Sequence, residues 1–204
     1  MADHRSSPTP GPTPLLRERL LLAATEIAGA SGREAVTVER LATRADASVT
    51  EVLELFPDSR SCLLAAYEAW IERGLRAIER PSAGEASARA DSPIEALLTA
   101  RLTALFVCLV ERPAVARLCL VEVPSAGHAG QIARDETLNR YRRSLQRQLE
   151  PLGVGPRTER VGEMAAGAIY DVAQRAAHDE AIEQLPALVG PLIRTWAPAF
   201  GDQT

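Results

Sequence analysis

Thr37 to Leu64 reads TVERLATRADASVTEVLELFPDSRSCLL, and this stretch decides the fold. Thr37 is a good N-cap, because its hydroxyl can accept from an orphaned amide of the first helical turn. The helix it opens buries Val38, Leu41 and Ala42 and ends near Arg44, and Ala45-Asp46-Ala47 is the turn. Ser48 opens a second short helix with Glu51 three residues on, the reciprocal pattern in which each side chain satisfies the other's backbone N–H. Val52, Leu55 and Phe56 form its core face, Pro57 breaks it, and Asp58 or Ser59 can cap the next helix. Two short helices around a tight turn make a helix-turn-helix, a frame that places its second helix in a DNA major groove. That helix, Ser48 to Leu55, carries Glu51 and Glu54 and no basic side chain.

Upstream, Leu16, Leu20, Ala23, Ala24, Ile27 and Ala28 recur at helical spacing, and Gly32 supplies a stop. The opening residues 1–14, with four prolines, favour a disordered arm. Downstream, a helix from Arg60 to Arg80 is followed by an Ala/Ser/Gly-rich linker, Pro81 to Ser92. Ile94, Leu97, Leu98, Arg101, Leu102, Leu105 and Phe106 restart the helical period, and Pro113 separates a shorter helix that ends before Pro124. A loop over Pro124 to Gly130, a charged helix ending at Pro151 and a turn at Gly153 to Pro156 come next. Two apolar helices finish the chain. Small residues including Ala166 and Ala173 mark the first, while Leu185, Leu188, Leu192 and Trp196 form a stripe on the second, so the pair can close a core or make a dimer.

The expected class is all-α with about nine helices, because the 204 residues are 46% hydrophobic but only 4% aromatic. All 23 basic residues are Arg, and the net charge is −4. Three cysteines without CxxC spacing argue against a disulfide framework and for a reducing cytoplasm. The N-terminus has no signal-peptide core, and the longest apolar run, Leu102 to Val110, is too short for a membrane span. No nucleophile elbow, phosphate-binding glycine loop or paired metal ligands occur, and His4, His128 and His178 are isolated, so neither an enzyme nor a cofactor or metal is expected.

The stretch from Leu15 to Leu64 resembles the tetracycline-repressor (TetR) family of bacterial regulators. It carries that family's first helix as LLRERLLLAATEIAGASG, then Thr37-Val38, the turn Ala45-Asp46-Ala47-Ser48, and Phe56-Pro57-Asp58; the run Cys62 to Ala69 is similar to its fourth helices. The resemblance implies a DNA-binding part over residues 15–59 and a ligand-binding and dimerisation part over 60–204. It also implies a homodimeric repressor, released from double-stranded operator DNA by a small-molecule effector. The region of the implied pocket holds Trp70, Arg101, Phe106, Cys108, Glu122, Tyr141 and Tyr170. The implied dimer surface falls on Ala166, Ala173, Leu185, Leu188, Leu192 and Trp196.

Candidate DNA contacts are Thr37, Arg44, Ser48, Val49, Thr50, Leu53, Glu54 and Arg60. Glu54 can accept from a cytosine amino group, Val49 and Thr50 can meet base edges, and Thr37 a phosphate, with capping, packing and solvation as the alternatives. Leu53, Leu55 and Ser59 stand where the family commonly has phosphate-facing Tyr, His or Tyr, and Lys. From Leu15 to Arg80, nine Arg oppose eleven acids, a net −2 where phosphate contacts call for positive charge. The alternative reading is therefore a TetR-shaped ligand-binding or dimerisation protein with weakened operator binding.

Overall fold

Leu16, Leu20, Ala24, Ile27 and Ala28 fall on one side of α1 (Pro14–Ser31), and all are buried. Gly32 then stops the helix at φ 80°, a conformation that costs glycine little. The computed structural model describes residues 14–80, 90–153 and 157–201. α2 (Val38–Arg44), α3 (Val49–Leu55) and α4 (Ser59–Glu79) follow. The second half contains α5 (Pro93–Glu111), α6 (Pro113–Arg117), α7 (His128–Leu149), α8 (Arg157–His178) and α9 (Val189–Gly201). The described residues thus hold nine α-helices and no strand.

Side-chain caps set the helix starts. Thr37 Oγ1 accepts from the Arg40 N–H at 3.3 Å, Asp58 Oδ1 from the Ser61 N–H at 2.7 Å and Ser92 Oγ from the Glu95 N–H at 3.1 Å. Ser48 and Glu51 form the reciprocal box, with Glu51 Oε2 accepting from the Ser48 N–H at 2.8 Å and Ser48 Oγ from the Glu51 N–H at 3.2 Å. Asp46 takes φ 49°, so the turn uses the left-handed conformation that Asp tolerates.

Two apolar clusters organise the chain. One gathers Leu20, Leu41, Val52, Cys62 and Ala66 from α1 to α4, and also Val115, Leu118, Cys119 and Val123 from the second half. The other gathers Phe106, Leu149, Ala173, Leu185 and Ile193 from α5 to α9. The halves meet where α1 crosses α6: a Cβ on Gly29 would lie 2.6 Å from the Ala114 Cα, so only glycine permits this approach. Beyond α6 the chain widens into a π-helical stretch, Leu118–Glu122, which contributes to both clusters.

Several expectations change. His128-Ala129-Gly130 is not loop but the first turn of α7, and Gly130 is required by packing, since a Cβ there would lie 1.9 Å from the Val123 carbonyl oxygen. The Leu185–Trp196 stripe is not one helix: Ile182–Leu188 is 3₁₀ and contains Pro186, and α9 starts only at Val189. α5 is long and apolar enough to cross a membrane, longer than the apolar run read from sequence, yet it packs against α4 and α9. Residues 1–13 of the expected arm, 81–89 of the expected linker and 154–156 of the expected turn lie outside the described residues.

Candidate functional site

The helix-turn-helix offers one exposed strip. Ser48, Val49, Thr50, Leu53 and Glu54 of α3 are exposed, with Val49 at 40% and Leu53 at 47%, while Val52 is completely buried and holds the helix down. Thr37 and Ser48 are occupied as caps. The hydrogen bonds from the Ser48 backbone and hydroxyl hold the Glu51 carboxyl below the usual range, so its negative charge is secured beside the strip.

The arginines around this strip are mostly engaged. Arg19 clamps the turn, its Nε donating to Ala45 O at 2.8 Å and its terminal nitrogen to Asp46 O at 2.6 Å. Arg44 pairs with Glu26 at 2.6 Å, Arg60 donates to Ala126 O at 2.9 Å, and Arg17 lies 5.5 Å from the Phe56 ring centroid. Arg40 is exposed, and among the described residues its guanidinium has no ion-pair partner.

The second candidate is a cavity of about 160 Å³ lined by α4 to α9. Leu98, Leu102, Leu109, Leu145, Ile169 and Ile193 give it apolar walls, and Trp70, Tyr141, Tyr170 and Trp196 add aromatic ones. Of the pocket residues expected from sequence, Trp70, Arg101, Cys108, Tyr141 and Tyr170 line it. Phe106 and Glu122 do not. Phe106 is fully buried in the second core. Glu122 faces the first half, accepting from the Arg33 N–H at 2.8 Å and from Arg117 Nε at 3.1 Å.

Glu122 ends the π-helical stretch, and its neighbours face two ways. Cys119 and Leu120 line the cavity, while Leu118 and Val123 plug the core of the helix-turn-helix half. Trp70 makes a second bridge: it lines the cavity and donates from Nε1 to Thr25 Oγ1 of α1 at 2.9 Å. Cavity wall and helix-turn-helix are thus joined by packed side chains and a hydrogen bond.

The expected dimer stripe is largely turned inward. Ala173 and Leu185 are 2% and 0% exposed in the chain's own core, and Ala166, Leu192 and Trp196 line the cavity. Leu188 is half-buried against the same core. The outward faces are different ones: Met164, 63% exposed, with Gly167 and Asp171 on α8, and Pro191, Thr195 and Ala199 on α9.

No family model matches this sequence, and no curated protein is detectably similar to it. Solved structures are similar along the whole chain. The fatty acid degradation regulator FadR from Bacillus halodurans superposes with a TM-score of 0.72 at 16% identity, covering 97% of this chain and 100% of its own. A regulatory protein of the TetR family from Rhodococcus RHA1 gives 0.64 at 20% identity, covering 94% and 100%. The chain has the TetR fold. FadR from Bacillus subtilis, solved in complex with stearoyl-CoA, shares this fold with a TM-score of 0.69 at 14% identity, covering 92% of this chain and 99% of its own.

Sequence reasoning missed Gly74, which lines the cavity against Tyr141, and Ser144 and Gln148, which stand behind the wall and accept from the lining Arg101. A signal existed. Tyr141, Ser144 and Gln148 recur at three and four residues, a polar seam on one face of a helix whose next face carries Leu138 and Leu145. Arg19 left no such trace, because its target is a backbone carbonyl 26 residues away.

Proposed function

We propose that this chain is a DNA-binding transcriptional regulator of TetR type, a cytoplasmic homodimeric repressor released by a small-molecule effector. Residues 15–59 are its DNA-binding part and 60–204 its ligand-binding and dimerisation part. The observation that carries the proposal is the pairing of a capped, solvent-facing α3 with an internal cavity whose wall, Cys119 and Leu120, is continuous with the core beneath that helix. The stearoyl-CoA in the B. subtilis neighbour supports a small molecule with an apolar chain as the effector. Thr37, Arg44, Ser48, Val49, Thr50, Leu53, Glu54 and Arg60 form the operator surface, with Arg40 beside them.

The dimer surface moves from the inward stripe to the exposed faces of α8 and α9. Two copies joined there would present their α3 helices to successive major grooves, about 34 Å apart. Light scattering on wild type and Met164→Glu tests this; a monomeric wild type overturns it. For DNA, the protein is offered fragments of its own genome at low and high salt, and recovered fragments are re-tested by gel shift. A specific site that survives salt supports the regulator.

The second reading is a TetR-fold ligand-binding protein with weakened operator affinity, favoured by the engaged Arg17, Arg19, Arg44 and Arg60 and the exposed Leu53. It predicts a dimer that recovers no fragment. Leu53→Tyr with Ser59→Lys should then create salt-dependent binding, the new Lys steepening the salt slope by about 0.9 through the phosphate it neutralises and the Tyr adding a neutral hydrogen bond.

A further inference from the structure

Arg101 lies in the middle of α5, 7% exposed, and is one of the residues that line the cavity. Every described partner of that guanidinium is neutral. One terminal nitrogen donates to Gln148 Oε1 and, at 3.5 Å, to Ile78 O; the other donates to Ser144 Oγ at 3.2 Å. Its nearest acid, Glu79, is one hydroxyl further out: it accepts from Ser144 Oγ at 2.9 Å and is itself paired with Arg147 at 2.9 Å. A buried cation without a directly bound anion is costly, and desolvation draws the Arg101 pKa down to about 10, leaving it charged at neutral pH.

Tyr141 stands beside it. Its hydroxyl packs so closely on Gly74 that a Cβ there would lie 2.9 Å away, one turn of α4 before the Ile78 carbonyl that Arg101 touches. Among the described residues this hydroxyl has no hydrogen-bond partner, and it opens on the cavity. Arg142 also lines the wall and is ion-paired with Glu163 at 3.3 Å, and Leu98, Leu102, Ile169 and Ile193 leave the remainder largely apolar. Beside the paired Arg142, the cavity therefore carries one cation with no acid directly bound and one idle hydroxyl donor on a largely apolar wall.

We infer that the cavity takes a monocarboxylate with a compact apolar body, its carboxylate held by Arg101 and Tyr141 and its body lying among Leu98, Leu102, Ile169 and Ile193. This rests on the reading of the cavity as the effector site. With Arg142 already paired to Glu163, one negative charge balances the Arg101 guanidinium, whereas a dianion would bury excess charge in a largely apolar chamber. The volume, about 160 Å³, is close to that of an apolar cavity that admits a single aromatic ring, so the body is short.

Calorimetry on the full chain without DNA tests this with octanoate, octan-1-ol, octylammonium, 4-propylbenzoate and 4-propylbenzyl alcohol. Each carboxylate should bind about tenfold or more tighter than its alcohol, as expected for charged hydrogen bonds, and octylammonium should not bind. Arg101→Gln should erase the preference for acid over alcohol. Tyr141→Phe, which deletes a hydroxyl with no protein partner and so keeps the fold, should weaken octanoate several-fold and leave octan-1-ol unchanged. Alcohols binding as well as acids, binding by neither carboxylate, or a Tyr141→Phe variant with unaltered octanoate affinity would each overturn the inference. Because DNA is absent, a protein that recovers no operator yet prefers carboxylates keeps this inference and loses the regulator. An operator-binding protein indifferent to carboxylates does the reverse.

Discussion

The helix-turn-helix and the cavity use charge in opposite ways. At the first, polar groups lie in water and serve the backbone: Thr37, Ser48, Glu51 and Asp58 cap helices, and Arg19 clamps a turn. At the second, a cation is buried among neutral partners while its nearest acid is engaged further out. A surface that caps itself is stable before any partner arrives, whereas a buried cation is improved by a ligand. The helix-turn-helix frame is therefore complete alone, and the cavity has something to gain from being filled.

That contrast can be broken by mutation. Leu41 is fully buried beneath the helix-turn-helix, so Leu41→Ala should cost about 2–5 kcal/mol in urea unfolding, while Leu53→Ala on the exposed strip should stay within about 0.5 kcal/mol. Equal losses would mean that the strip is covered in solution. Glu122→Ala strands the Arg33 amide and Arg117, and about 1–3 kcal/mol should be lost. If Glu122 also couples the halves of the proposed regulator, ligand-induced changes in DNA affinity should shrink in the same variant.

Smaller effects sharpen the picture of the caps. Ser48→Ala should cost about 1 kcal/mol in thermal unfolding, since one donor and one acceptor of the box go together. Asp58 is held below its ordinary value of 3.8 by Ser61, first through the side chain and then through the backbone N–H. A carboxylate with a depressed folded pKa stabilises above its unfolded value and loses that contribution as pH falls through the folded one. Acid unfolding should therefore begin below about pH 4, and Asp58→Asn, which still caps but does not titrate, should flatten that limb slightly.

The first half was largely legible because its signals are local. Thr37, Ser48 with Glu51, and Asp58 each act within three residues of themselves, and the all-helical class followed from composition and period. The second half was less so, because its partners are distant. Glu122 was expected at the pocket, yet its target is an amide 89 residues away. Leu185 and Ala173 looked like an interface because an apolar stripe has the same pattern whether it meets a partner or its own core. Gly130 read as a loop residue, when its lack of a side chain serves helix packing.

The π-helical stretch carries one more consequence, for deletions and insertions. A wide turn holds a surplus residue relative to α-helix, and each residue of an α-helix turns the chain by about 100°. Removing a single residue from Leu118–Glu122 could thus restore regular helix and rotate everything beyond it, swinging Val123 out of the first core or Glu122 away from Arg33. Loss of one residue there should do more harm than most substitutions, which makes these five positions a register pin for the two halves.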